Sequence, residues 1–80
     1  MKYQKKPIIV DAWPWPEYPH DAPIFDPGYP INYQIVKTLE GNMKRSTGDW
    51  LIRGVSGEYY PCKPDIFEQT YTRIEEANDD

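Results

Sequence analysis

Between residues 14 and 30 the chain reads PWPEYPHDAPIFDPGYP, which holds six of its nine prolines and no lysine or arginine. Each proline lacks the N–H that a helix interior or a central strand requires, so no long regular element can cross this stretch. The expectation is an extended loop of polyproline-II character. Such a loop is long for a domain of 80 residues, and long loops are usually functional or mobile. Its aromatic residues, Trp15, Tyr18, Phe25 and Tyr29, predict that it packs back on the body of the fold.

The body must therefore be built from the segments on either side. Residues 7–13 (PIIVDAW) read as a first strand, with Ile8, Ile9 and Val10 β-branched. Residues 33–39 (YQIVKTL) read as a second. Glu40-Gly41-Asn42 has turn chemistry, and Met43-Lys44-Arg45 reads as a short returning strand. A turn at Thr47-Gly48-Asp49 leads into WLIRGV (50–55), the best strand in the chain. Trp50 and Ile52 lie on one of its faces and Leu51, Arg53 and Val55 on the other. Apolar residues on both faces suit a curled sheet at the centre of a small fold. Ser56-Gly57 reads as a two-residue hairpin connection to EYYPC (58–62), where Pro61 marks an edge or the end of pairing. PDIFEQT (64–70) predicts one or two helical turns, with Pro64 at the first position and Asp65 and Glu68 toward the favourable end of the dipole. Tyr71 to Ile74 reads as a last short strand. The expected class is mainly β (α+β): a small antiparallel β-roll or an SH3-like partly open barrel of five to six short strands with one short C-terminal helix.

Composition sets the outer limits. Aromatic residues make up 15% and charged residues 28% of the chain, which fits a folded domain rather than a disordered one. A chain this short buries only about 60–65% of the surface its unfolded form exposes, so the core is thin. Residues 1–74 form one domain with nine bases and nine acids, and the net charge of −4 comes from the EEANDD tail at 75–80, expected to be flexible. A neutral body argues against nonspecific binding to phosphate backbones. No apolar run approaches the ~20 residues of a membrane span. The opening MKYQKKPIIVDAW has no signal-peptide run, so an intracellular domain is expected.

From residue 48 to 71 the chain reads GDWLIRGVSGEYYPCKPDIFEQTY. This run resembles the C-terminal signature of a family of small proteins encoded by tailed bacteriophages. There a Pro-Gly-Asp turn leads to an aromatic residue, an apolar pair and Gly-Val, and then to a Gly-Glu-aromatic-Tyr-Pro-Cys-Lys-Pro-Asp-Ile-Phe stretch. The opening KYQKKPIIVDAW and the segment IVKTLEG are similar to the family as well, so the likeness covers about residues 2–13 and 35–71. Thr47 stands where the family usually has proline, and the loop at 14–30 departs from the family pattern. The resemblance implies a phage origin and action in the cytoplasm of an infected bacterium. It supplies no catalytic residues.

Chemistry-bearing residues are few. Cys62 is the one good nucleophile and His20 the one imidazole. Thiol catalysis needs a base at the sulfur, and the alternative is a small buried residue at a strand end. Together these two fall short of a structural zinc set, and no Gly-rich nucleotide motif is present, so neither a metal nor a cofactor is expected. Asp49, Glu58 and Asp65 could gather as a carboxylate cluster, although each also has a turn or helix-start explanation. Arg53 is placed to bind a carboxylate or phosphate in bidentate fashion, with Tyr60 to stack beside it and Lys63 to add charge. WPWPEYP, with Trp13, Trp15 and Tyr18, offers large contact area held extended by proline; it could equally cap a core too small to close without it.

The expectation for function is a non-catalytic binding protein with Trp13, Trp15, Tyr18, Arg53, Tyr60 and Lys63 at its contact sites. Its partner would be a host protein, such as a defence protein, or a small nucleotide-like signalling ligand. The alternatives are a virion or assembly component pairing through an exposed β edge and, behind it, a small enzyme. Open edges and a thin core also leave room for a homodimer.

Overall fold

The computed structural model describes residues 1–3 and 7–74, so the acidic tail at 75–80 lies outside the described residues. The elements run β1 (Asp11–Trp13), β2 (Ile24–Phe25), β3 (Tyr33–Thr38), β4 (Gly41–Ser46), β5 (Trp50–Arg53), β6 (Tyr59–Cys62) and α1 (Pro64–Thr70). They form two three-stranded antiparallel sheets, β1-β5-β6 and β2-β3-β4. The fold is mainly β with six strands and one short C-terminal helix, and the two sheets do not close into a barrel.

The sheets pack through β6, which lies against β3 and β4. Directly opposed residues share a face. Leu51 therefore sides with Trp13, and Arg53 with Tyr59 and Asp11, on the inner face of the first sheet. On the second sheet, Gln34 sides with Arg45, and Val36 with Ile24 and Met43. Between them Val36, Leu51 and Tyr59 form the core, with Trp13, Tyr18, Ala22 and Ile24 packed around it. The outer face of the first sheet is covered by α1, because Phe67 stacks on Trp50 with ring centroids 4.0 Å apart and planes 9° from parallel. Ile52 is fully buried on that same face. The central strand β5 is thus apolar on both sides because both sides are covered.

Helix α1 begins at Pro64 with Asp65 in its first turn, as its sequence predicts. Seven residues cannot sustain a helix alone in water, so the stack on Trp50 holds it. Phe67→Ala is expected to undock α1 and to cost about 1–3 kcal/mol, from a half-buried ring and an aromatic pair. Far-ultraviolet circular dichroism together with a denaturant titration checks both effects.

Four local expectations are corrected. The first strand is shorter than residues 7–13, because Asp11 already pairs with Arg53 at the end of β5 and Pro7 to Val10 run past it. The proline-rich stretch is not wholly loop: Ile24-Phe25 pairs with Val36 and Ile35 in the gap between Pro23 and Pro27. The β5–β6 connection spans residues 54–58 rather than two residues. Val55-Ser56 are central in a turn closed by Gly57 N–H to Gly54 O (3.0 Å), and Gly54 N–H donates to Glu58 O (2.8 Å). Residues 71–74 form no strand; Tyr71 packs on Phe67 and meets the Tyr60 hydroxyl, which keeps the chain over the sheet face and away from an edge. The returning strand at Met43-Lys44-Arg45 is present and longer, at Gly41–Ser46.

The turn at 46–49 is tied twice, by Asp49 N–H to Ser46 O and by Ser46 N–H to the Asp49 carboxylate, both 2.9 Å. Gly48 sits in it at φ 91°, the left-handed position that a type II turn gives to glycine. Thr47 occupies the preceding position of that turn, where proline is also favoured.

Candidate functional site

The proline-rich segment is held by one buried guanidinium. Arg45 is 0% exposed. Its Nε donates to Asp49 O (3.1 Å), Nη1 to Glu17 O and Gln34 Oε1 (both 2.9 Å), and Nη2 to Trp13 O (3.1 Å). The same group lies 5.4 Å from the Trp15 ring centroid. Burial pushes the Arg45 pKa down, against the opposing pull of Asp49, Asp26 and Glu17. Gln34, also buried, passes the network on: its Nε2 donates to Pro16 O (3.1 Å) and to Asp26 (3.3 Å). Asp26 also accepts from the Tyr18 hydroxyl (3.1 Å) and from Gly28 N–H (2.9 Å). The loop is therefore ordered by side chains of β3 and β4 that satisfy its backbone carbonyls.

These contacts place the expected binding residues. Trp13 is half-buried, between Tyr59 (centroids 6.2 Å apart) and the Arg53 guanidinium (5.6 Å from its ring). Trp15 lies under Arg45, and Tyr18 packs on the core. Arg53 pairs with Asp11 at 2.6 Å, and its pKa is raised by that bond and by Tyr59. Lys63 reaches the nearly buried Asp49 carboxylate at 3.5 Å. Trp13 and Arg53 thus meet on the inner side of the first sheet, whereas Tyr60, paired with Ile52, is on its outer side.

On that outer side is an open groove of about 420 Å³. Its walls come from three separate segments: Pro7, Ile8 and Val10 before β1, Gly54, Val55 and Glu58 in the β5–β6 connection, and Tyr60, Thr70 and Tyr71. The Tyr60 and Tyr71 hydroxyls are 3.2 Å apart. Ile8 and Val55 are well exposed, Val55 to 70%. Apart from Tyr60, no residue named from the sequence as a binding candidate lines this groove. The aliphatic run PIIV is legible as apolar and has the composition of a strand, but nothing local to it indicates that it overhangs the end of β5.

The thiol and the carboxylates have structural surroundings. Cys62 is half-buried and its Sγ donates to Lys63 O at 3.6 Å. Burial, with Asp49 and Asp65 nearby, pushes its pKa up, which disfavours thiolate. Glu58 accepts from Ser56 N–H (3.0 Å) and Asp65 from Ile66 N–H (2.9 Å), so each carboxylate serves its own turn or helix start. Among the described residues no three His, Cys, Asp or Glu side chains gather as a metal site, and no helix is long and apolar enough to cross a membrane.

Among the described residues, two phenols and a thiol that ordinarily titrate near pH 9–10 hold their protons more tightly folded than unfolded. Tyr18 is raised by burial and by Asp26, Tyr60 by burial and by Tyr71, and Cys62 as above. The unfolded chain releases these protons first, near the ordinary values of 9.0 for the thiol and 10.0 for the phenols. Their stabilisation is therefore complete below pH ~9 and is lost as pH rises above it. Urea midpoints measured across alkaline pH should fall, and Tyr60→Phe should make the fall shallower. Compared with family models, curated proteins and solved structures, the chain matches none.

Proposed function

We propose that this chain is a non-catalytic binding protein of a tailed bacteriophage, acting in the cytoplasm of the infected bacterium by docking a host protein into the groove beside Tyr60. The supporting observation is the groove itself. It is open and mostly apolar, with exposed aliphatic residues framing two tyrosines and Glu58 and Thr70 adding polar groups, the make-up of a pocket that accepts an apolar anchor with a polar rim from a partner. The phage setting rests on the resemblance carried by residues 48–71. The small signalling ligand receives less support, because Arg53, the charge meant to hold it, is already paired with Asp11. Assembly through strand edges is supported only at β4, a six-residue edge strand without proline; the other edges are blunted, because β6 carries Pro61, β1 has three residues and is followed by Pro14, and β2 has two residues between Pro23 and Pro27.

Val55→Glu and Ile8→Glu test the proposal. Both side chains are exposed, so stability should change by less than about 0.5 kcal/mol. Cross-linking in host lysate should yield one partner with the parent protein and lose it with each variant. Equal capture by all three proteins would remove the groove from the account.

A further inference from the structure

On the far side of the molecule, the outer face of the sheet β2-β3-β4 carries a different chemistry. By register and alternation it presents Phe25, Tyr33, Ile35, Lys37 and Lys44. Phe25 is 65% exposed and both lysines are exposed. The strands of this sheet contain three bases and no acid. One base, Arg45, is turned inward and buried, so the outer face holds two positive charges, neither in a salt bridge among the described residues. Asp26, next to Phe25, is directed inward to Tyr18 and Gln34, and Glu40 lies in the hairpin turn beyond the last strand pair.

We propose that this face binds single-stranded nucleic acid, with Phe25 and Tyr33 stacking successive bases and Lys37 and Lys44 taking the phosphates. Phe25 is opposite Ile35, and Tyr33 is two residues along from Ile35, a diagonal placement of about 7–8 Å. Two such rings on an open sheet suit unstacked bases, because every base has a π-face. Lys44 Nζ sits 5.1 Å from the Tyr33 ring centroid, a weak contact at an exposed site, and it exchanges the ring for a phosphate when a base arrives. Charge favours this occupant over a second copy of the same face, which would bring lysines together. The even balance of bases and acids in residues 1–74 conceals the asymmetry, because none of the compensating acids is in the strands of this sheet.

The test is fluorescence anisotropy of short labelled oligo(dT) and oligo(U), with the matching duplex and thymidine monophosphate alongside. Single strands should bind and the duplex should bind more weakly, with a slope of log affinity on log salt of about −1.4 for two phosphate contacts. Phe25→Ala should weaken binding roughly 5- to 150-fold. Lys37→Glu with Lys44→Glu should abolish it, with thermal midpoints unchanged. Any of four results would overturn the proposal. These are no binding, binding that survives both sets of changes, a duplex bound as tightly as the single strand, and a mononucleotide that competes as well per mole as the oligomer. A change of oligomeric state in the Phe25 variant would assign the face to a second copy instead.

Discussion

Arg45→Ala is expected to cost about 3–5 kcal/mol, the range for removing one partner from a buried charged network. It leaves the carbonyls of Trp13, Glu17 and Asp49 and the Gln34 amide oxygen without their donor. A domain of this length has about 4–12 kcal/mol in total, so the variant should lose between about a quarter and all of its stability. Arg45→Lys should recover little, because an ammonium on a flexible stem cannot span the four acceptors that the planar fork reaches. Arg45→Met separates packing from hydrogen bonding: it keeps the stem and removes every donor. Equilibrium urea denaturation of the three variants checks this. A loss below about 1 kcal/mol for the methionine variant would show that the network contributes little and that the loop is held by its aromatic rings alone.

Leu51→Ala is the second large effect, expected at about 2–5 kcal/mol. Leu51 is fully exclusive of solvent at the contact between the sheets, and the apolar residues buried to this degree are few: Val36, Leu51, Ile52 and, nearly so, Tyr59. A thin core has little else to collapse into the cavity, which places the cost toward the upper end. The two variants should differ in kind as well as size. Leu51→Ala loosens the sheets from each other, so near-ultraviolet signals from both Trp13 and Tyr59 should weaken. Arg45→Met should mainly free the segment 14–30, seen as faster amide exchange there with the β5–β6 pairing still protected.

The helix was legible down to its limits because Pro64 and Asp65 mark a helix start locally. The strands β3, β5 and β6 were legible from alternation and β-branched residues bounded by turn chemistry. Ile24-Phe25 was not, since two residues between prolines become a strand only when β3 supplies the partner. The inward turn of Arg45 was equally hidden. An arginine in a strand reads as a surface residue, and its burial depends on carbonyls from Trp13 and Glu17, about thirty residues away in sequence. One signal was available: Met43 and Arg45 share the parity that pairs with Val36 and Gln34, the face that has to cover the core. The composition of WPWPEYP suits recognition or a cap alike, and its tryptophan rings pack inward, on Tyr59, Arg53 and Arg45. The groove is not legible in the sequence because its walls come from residues 7–10, 54–58 and 60–71, segments that only the tertiary fold brings together.

The most direct measurement is native mass spectrometry of the tagged protein recovered gently from host lysate, run beside Val55→Glu. The account predicts an added mass of tens of kilodaltons on the parent protein and none on the variant, with both folded by circular dichroism. An added mass of a few hundred daltons, or a protein partner retained equally by the variant, would contradict it.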